Sequence, residues 1–301
     1  MNGKYMRGIT LPALMLMGIF VAGCGLTEPT EFQPEYVVEA YLFAGEPLPE
    51  IRLSRTVPFG TVYRFEEQAV SNAQVTLHLL DGNGGIEQSY RYFEGQWGVY
   101  LPHPPVDTVL PLRRYALEIV TAGDNRVLRA ATVVPDTFRI VRINRDTVIY
   151  QSPEQLELTI TRSEYPGRQT IFIFSTESLN PTPELLTPFY ADFFVDNEGD
   201  VEELRIRESP PVNEKNYTTN PDGTLTIKFP WLAIPFYGPN RIIINAIDDN
   251  ILQFVNSRQI QNNPSTLSPG EIPAVFDSIE GGTGIFGGIA RVEVEVYVEQ
   301  P

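Results

Sequence analysis

Chemistry needs reactive side chains, and this chain has few. Its 301 residues include two histidines, His78 and His103, and one cysteine, Cys24. A zinc site draws three or four N, S or O ligands, and a Ser-His-Asp triad needs a histidine between its partners. His78 falls on the polar side of an alternating run beside Thr76, and His103 sits in Pro102-His103-Pro104-Pro105. Both read as surface histidines, and no G-x-S-x-G elbow accompanies them. Gly282-Thr283-Gly284-Ile285-Phe286-Gly287 has the G-x-G-x-x-G spacing. A dinucleotide loop, however, follows a strand and opens a helix. Here Asp277-Ser278-Ile279-Glu280 precedes the glycines and an alternating run follows them. They are expected to serve close backbone approach or positive φ instead. Asp196, Asn197, Glu198 and Asp200 surround Gly199 with oxygens, as calcium loops do. Without EF-hand spacing they read as an acidic hairpin tip. No catalytic residue, metal ligand or cofactor is assigned. The 38 acidic residues leave a carboxylate-pair hydrolase as a lesser alternative.

Two aromatic clusters are the candidate binding residues. Phe189, Tyr190, Phe193 and Phe194 form one; Trp231, Phe236 and Tyr237, among Pro230, Pro235 and Pro239, form the other. Exposed on loops, such rings hold ligands or partner proteins; buried, they fill a core. The binding candidates are Phe189, Tyr190, Phe193, Phe194, Trp231 and Tyr237, for an unidentified ligand. Asn216-Tyr217-Thr218 spells a glycosylation sequon, to which no role is given.

Cys24 has a different chemistry. Lys4 and Arg7 precede a thirteen-residue apolar run from Ile9 to Val21. A spanning helix needs roughly 20 such residues, so the run fits a secretory leader. Val21-Ala22-Gly23-Cys24 resembles the bacterial lipobox, in which cleavage falls before the cysteine and its thiol is lipidated. The plainer alternative is a signal peptide followed by a chance cysteine. With lipidation, residues 1–23 are the signal peptide and the mature chain starts at Cys24. Each buried methylene adds about 0.8 kcal/mol, so two or three acyl chains anchor permanently. Residues 24–35, with Glu28, Glu31 and two prolines, form an acidic, extended tether.

Charge and patterning bound the rest. The 22 basic against 38 acidic residues give −16, and 20 − 38 = −18 without residues 1–23. That balance argues against nucleic acid, and an anionic leaflet should repel the body and hold it off the membrane. With 42% hydrophobic residues the chain can fill a core. Runs at 36–43, 50–56, 73–79, 86–93, 96–101, 115–120 and 127–134 alternate or are rich in β-branched and aromatic residues. Turn residues such as Asp81-Gly82-Asn83-Gly84-Gly85 separate them. Residues 36–135 are thus expected to form an immunoglobulin-like sandwich, without the Cys-Trp-Cys signature of antibody domains. Residues 136–301 are expected to be a second β-rich domain, with strands at 137–149, 156–161, 171–174, 204–207, 224–229, 241–247 and 289–298. Ile171-Phe172-Ile173-Phe174 suits a strand buried on both faces. Asp248 or Asp249 is expected to cap a short helix near 250–260, and 184–194 is either a second helix or irregular. The expected class is all-β, with two β-sandwich domains and one or two short helices in the second.

Several stretches taken together resemble one family: the lipobox, Tyr36-Val37-Val38-Glu39-Ala40-Tyr41-Leu42, Ile51-Arg52-Leu53-Ser54-Arg55-Thr56, Val70-Ser71-Asn72-Ala73-Gln74-Val75-Thr76-Leu77, and Ile279-Glu280-Gly281-Gly282-Thr283-Gly284-Ile285-Phe286-Gly287. They resemble the Bacteroidota lipoproteins grouped as domain of unknown function 4249. The resemblance implies a lipid-anchored protein of the cell envelope, at the outer membrane, on its periplasmic or surface side. It also implies a TonB-dependent receptor as partner. It supplies no catalytic residues, and it makes the glycine loop a signature of the fold. The expected function is an accessory or ligand-capturing protein of a TonB-dependent outer-membrane transporter. A structural or adhesive surface protein without a small ligand is the alternative.

Overall fold

Alternation of inward apolar and outward polar residues builds the first half. The computed structural model describes residues 32–105, 107–197, 200–262 and 278–301. The leader, Cys24 and most of the tether lie outside them. Strand β1 (Tyr36–Phe43) buries every second residue, as a strand packed on one face must. It pairs antiparallel with β2 (Ile51–Arg55), Tyr36 opposite Arg55. A loop and one helical turn, α1 (Phe65–Gln68), lead to β3 (Gln74–Leu80). Strands β4 (Ile86–Gln96), β5 (Val99–His103), β6 (Arg114–Val120) and β7 (Val127–Val133) follow. Hydrogen bonding runs in the order β1-β2-β5-β4-β3-β6-β7. The inward side chains, among them Val38, Leu53, Leu77, Tyr100 and Tyr115, make one core.

The second half has three layers. Its elements are β8 (Ile140–Ile143), β9 (Thr147–Ile149), β10 (Glu157–Ile160), β11 (Ile171–Ser178), α2 (Pro188–Asn197), β12 (Ile206–Glu208) and β13 (Val212–Asn213). Then come β14 (Thr218–Thr219), β15 (Leu225–Lys228), β16 (Gly238–Ile247), α3 (Asp249–Asn262) and β17 (Thr283–Glu299). A small sheet, β14-β15-β10-β8, packs through Leu158 and Ile227 onto Phe172, Phe174 and Ile242. Helix α3 covers the opposite face, with Ile251 against Ile173, Ile247 and Ile285. That is why residues 171–174 are apolar without interruption: both faces of β11 are covered. The Asp248 carboxylate accepts the Ile251 N–H at 2.8 Å and caps α3. The run at 137–149, expected as one strand, is two. Asn144 turns the chain by donating to the Gln155 carbonyl at 2.8 Å, so β8 joins the small sheet and β9 the large one.

Strand β17 serves both halves. Its beginning lies parallel to β1, from Thr283 opposite Val37 to Ile289 opposite Phe43. Its remainder is antiparallel to β16, from Ile289 opposite Ile247 to Val298 opposite Gly238. One 13-stranded sheet therefore runs through residues 36–299, and Glu35–Pro301 is one compact unit. Strand β7 closes on the lead into β17, where Arg129 and Glu280 exchange backbone hydrogen bonds of 3.0 and 2.7 Å. The glycine stretch makes this path possible. At Gly284 φ is +118°, and a Cβ would fall 2.1 Å from the Val38 carbonyl oxygen. The class is all-β, with three short α-helices among the described residues.

Candidate functional site

A cleft opens at the edge of the second half, between the two sheets. Its volume is about 370 Å³, toward the small end for ligand sites. The large sheet supplies Phe174 from β11, Arg207 and Glu208 from β12 and Val212 from β13; the small sheet supplies Ile227 and Lys228 from β15, and Phe229 follows that strand. Tyr217, Tyr190 of α2 and the turn at 230–233 complete it. Two sandwich sheets diverge where their edge strands shorten. Strands β12 and β14 span three and two residues, too short to bring the layers together.

Aromatic packing makes the cleft rigid. Phe174 stands edge-on to Tyr217 at 5.5 Å and to Phe229 at 5.7 Å between centroids, in the geometry that aromatic quadrupoles favour. Ser209 accepts the Phe174 N–H at 3.0 Å, which holds the wall beside β12. On the far side the Tyr190 hydroxyl donates to the Leu232 carbonyl at 2.8 Å and locks α2 to the turn.

Polar groups also line this apolar cleft. The Arg207 guanidinium stands 5.7 Å from the Tyr190 ring centroid and makes no ion pair among the described residues. Lys228 is neutralised by Glu157 at 2.8 Å. Burial pushes the Tyr217 hydroxyl up to about 12, so it stays protonated and can donate. Arg207 and Tyr217 are donors in the lining that an anionic or strongly accepting group can meet, beside the rings of Phe174 and Phe229. Glu208 is the one carboxylate among the described lining residues.

The sequence candidates divide. Tyr190 lines the cleft. Phe189 is 55% exposed beside it and edge-on to Tyr190 at 5.1 Å. Phe193 and Phe194 lie in α2, but their side chains are outside the described part. Trp231 and Tyr237 pack edge-on against Tyr150 at 5.5 Å each, as part of the core. Their neighbours Leu232 and Ala233 reach the cleft instead. The clusters around 190 and 231, some forty residues apart in sequence, thus meet at one place. Phe174, Arg207, Tyr217 and Phe229 also line the cleft and carry no local sequence signal of a binding site. Phe174 is hidden in an apolar run and Arg207 in a short polar one, and only the sheet pairing brings them together.

Other candidates lie elsewhere. His78 meets the Ser89 hydroxyl at 2.8 Å on the surface, and His103 is edge-on to Phe93. Among the described residues no three His, Cys, Asp or Glu side chains group as metal ligands. Asp200 accepts the Glu202 N–H at 3.0 Å and starts a short 3₁₀ turn, while Glu198 and Gly199 lie outside the described residues. A larger depression of about 870 Å³ is lined by the polar loop at 143–154 and has no aromatic wall. Among the described residues no helix is long and apolar enough to cross a membrane.

The family described as Domain of unknown function (DUF4249) matches residues 26–295, and the chain belongs to it. No curated protein matches the chain. Among solved structures it is similar to Salmonella alpha-2-macroglobulin reacted with methylamine, with 12% identity and a TM-score of 0.24. That match covers 88% of this chain and 15% of the other. A tetra-tandem repeat from the extending region of a large adhesion protein matches at 10% identity and a TM-score of 0.23, over 88% of this chain and 49% of that one. The chain thus spans about a seventh of the macroglobulin and half of the repeat protein.

Proposed function

We propose that this DUF4249 member is a lipid-anchored protein of the cell envelope. In this account it captures small amphipathic anions in the cleft between its sheets for a TonB-dependent outer-membrane transporter. The observation that carries the capture role is the pairing of an apolar aromatic cleft with an uncompensated guanidinium at Arg207. Such a site takes an apolar body bearing a carboxylate or similar group, because Arg offers a planar fork of donors. A lone carboxylate in the lining favours binding over glycoside-type hydrolysis, which uses two. The anchor rests on Cys24 and the leader before it, and the transporter partnership rests on the family resemblance.

A thermal-shift screen tests the capture role. Aromatic and aliphatic carboxylates should raise the melting temperature, and their neutral amides should do so less. No shift with any carboxylate would remove the capture role and leave the structural or adhesive alternative. Cross-linking in native membranes should recover a TonB-dependent receptor, and its repeated absence would end the partnership. Cys24→Ser should move the protein from the membrane to the soluble fraction.

A further inference from the structure

The chain enters the first half at the end where the exposed aromatic residues gather. Glu35 and Thr56 hold each other by two hydrogen bonds of 2.9 Å, one backbone to backbone and one from the Glu35 N–H to the Thr56 hydroxyl. The loop after Thr56 carries Phe59 and Val62, exposed by 108% and 76%. Tyr63 in the same loop is half-exposed and tied to the Ser54 hydroxyl at 2.9 Å. The β4–β5 hairpin reaches the same end. The Gly98 carbonyl at its tip accepts the Leu53 N–H at 2.8 Å, and the adjacent Trp97 is 78% exposed. Soluble surfaces scatter such residues singly; here four stand around one rim. Arg55 and Arg126 flank the nearby Tyr36 ring at 5.0 and 6.0 Å, and Arg64 pairs with Glu67 at 3.2 Å. Trp and Tyr interleaved with Arg is the composition of a protein's membrane-interface belt.

We propose that this rim, Phe59, Val62, Tyr63 and Trp97, rests in the headgroup region of the bilayer to which Cys24 anchors the chain. The proposal rests on the lipid attachment at Cys24. Ten residues, Gly25–Pro34, and so eleven residue steps separate Cys24 from Glu35. At full extension they span at most about 40 Å, and the rim is at the end from which that tether leaves. The net charge of −18 on the chain without residues 1–23 (20 − 38) repels the body from anionic lipid, but it acts over only about 8 Å in physiological salt. At this end Arg55, Arg64 and Arg126 against Glu35, Glu66, Glu67 and Asp124 leave a net charge of only 3 − 4 = −1, so contact depends on aromatic burial and not on lipid charge. The first half then stands on the membrane, instead of being held off it as net charge alone implies.

Trp97 and Trp231 are the two tryptophans, which allows a direct test. The full chain carrying Trp231→Phe is purified with its lipid and reconstituted in phosphatidylethanolamine–phosphatidylglycerol vesicles with brominated acyl chains. Mass spectrometry of the Cys24 peptide is run on the same sample. Trp97 emission should shift to the blue. Bromines near the headgroup should quench it more than bromines near the chain end, as for rings about 5–10 Å into the interface. The quenching should persist at high salt, and Phe59→Ser with Val62→Ser should reduce it. Acylated protein with unshifted, unquenched Trp97 overturns the rim proposal and leaves the anchor intact. A shift that occurs only in native membranes overturns it in favour of a protein partner. An unmodified Cys24 thiol overturns the anchor and the rim together.

Discussion

Replacing Asp248 by asparagine should stabilise the protein at neutral pH and remove a pH dependence between about 4 and 6. The carboxyl is buried where both halves meet. The Thr132 hydroxyl of β7 donates to one of its oxygens, and the Ile251 N–H of α3 donates to the other at 2.8 Å. Desolvation by burial outweighs these hydrogen bonds and pushes the carboxyl from 3.8 up to about 6. The unfolded chain releases this proton near 3.8, but the folded chain holds it until about 6. Stability from this group is therefore full below about pH 4, falls as pH rises to about 6, and is flat above. The interval corresponds to about 3 kcal/mol, at 1.36 kcal/mol for each pKa unit. Asparagine keeps the acceptor for Ile251, remains a good N-cap and carries no charge to desolvate. Urea denaturation of both proteins across the pH range gives the difference directly. It should move in favour of the variant by up to about 3 kcal/mol between about pH 4 and 7.5. A difference that does not change with pH would show that the carboxyl ionises at its ordinary value, and would refute the burial argument. Asp248→Ala, which removes the cap at every pH, should cost about 1–2 kcal/mol where the carboxyl is protonated.

Gly284→Ala should be far more damaging than an exposed substitution. It sets a methyl 2.1 Å from the Val38 carbonyl oxygen at a φ of +118°, and should cost more than about 3 kcal/mol, read as a lowered urea midpoint or as insoluble protein. Arg207→Gln should weaken carboxylate ligands about tenfold, the worth of one charge-assisted hydrogen bond, while leaving neutral analogues unchanged in the same titration. An equal loss for both would move the anion contact elsewhere in the cleft.

Much of the fold is legible locally. Residues 36–43 are rich in β-branched and aromatic residues, and Tyr115, Leu117 and Ile119 alternate with Ala116, Glu118 and Val120 because one face of the strand meets a core; the structure places strands at both. Asp248 is legible as a cap because a short carboxylate before Ile251 satisfies a free N–H. The long-range pairing is not legible in this way. Nothing local announces that β17 starts inside the glycine stretch and lies parallel to β1, since parallel partners need only match across some 250 residues. The cleft shares this limit. Tyr190 draws attention as one of a cluster of aromatics, yet Phe174 and Tyr217 become its neighbours only through the stacking of two sheets. Trp231 looks equally suited for binding, but its ring packs on Tyr150. Which side of a turn faces the core depends on the partner sheet.

The claim on which the functional account depends is that the cleft itself is the binding site. Ala233→Trp places an indole in the roughly 370 Å³ cleft from the turn side and obstructs it, while Arg207 and Tyr217 keep their identities. Isothermal titration of the strongest carboxylate from the screen should show binding to the wild type and none to the filled variant, whose urea midpoint should stay close to the wild type's. Undiminished affinity in a folded, filled variant would contradict the account.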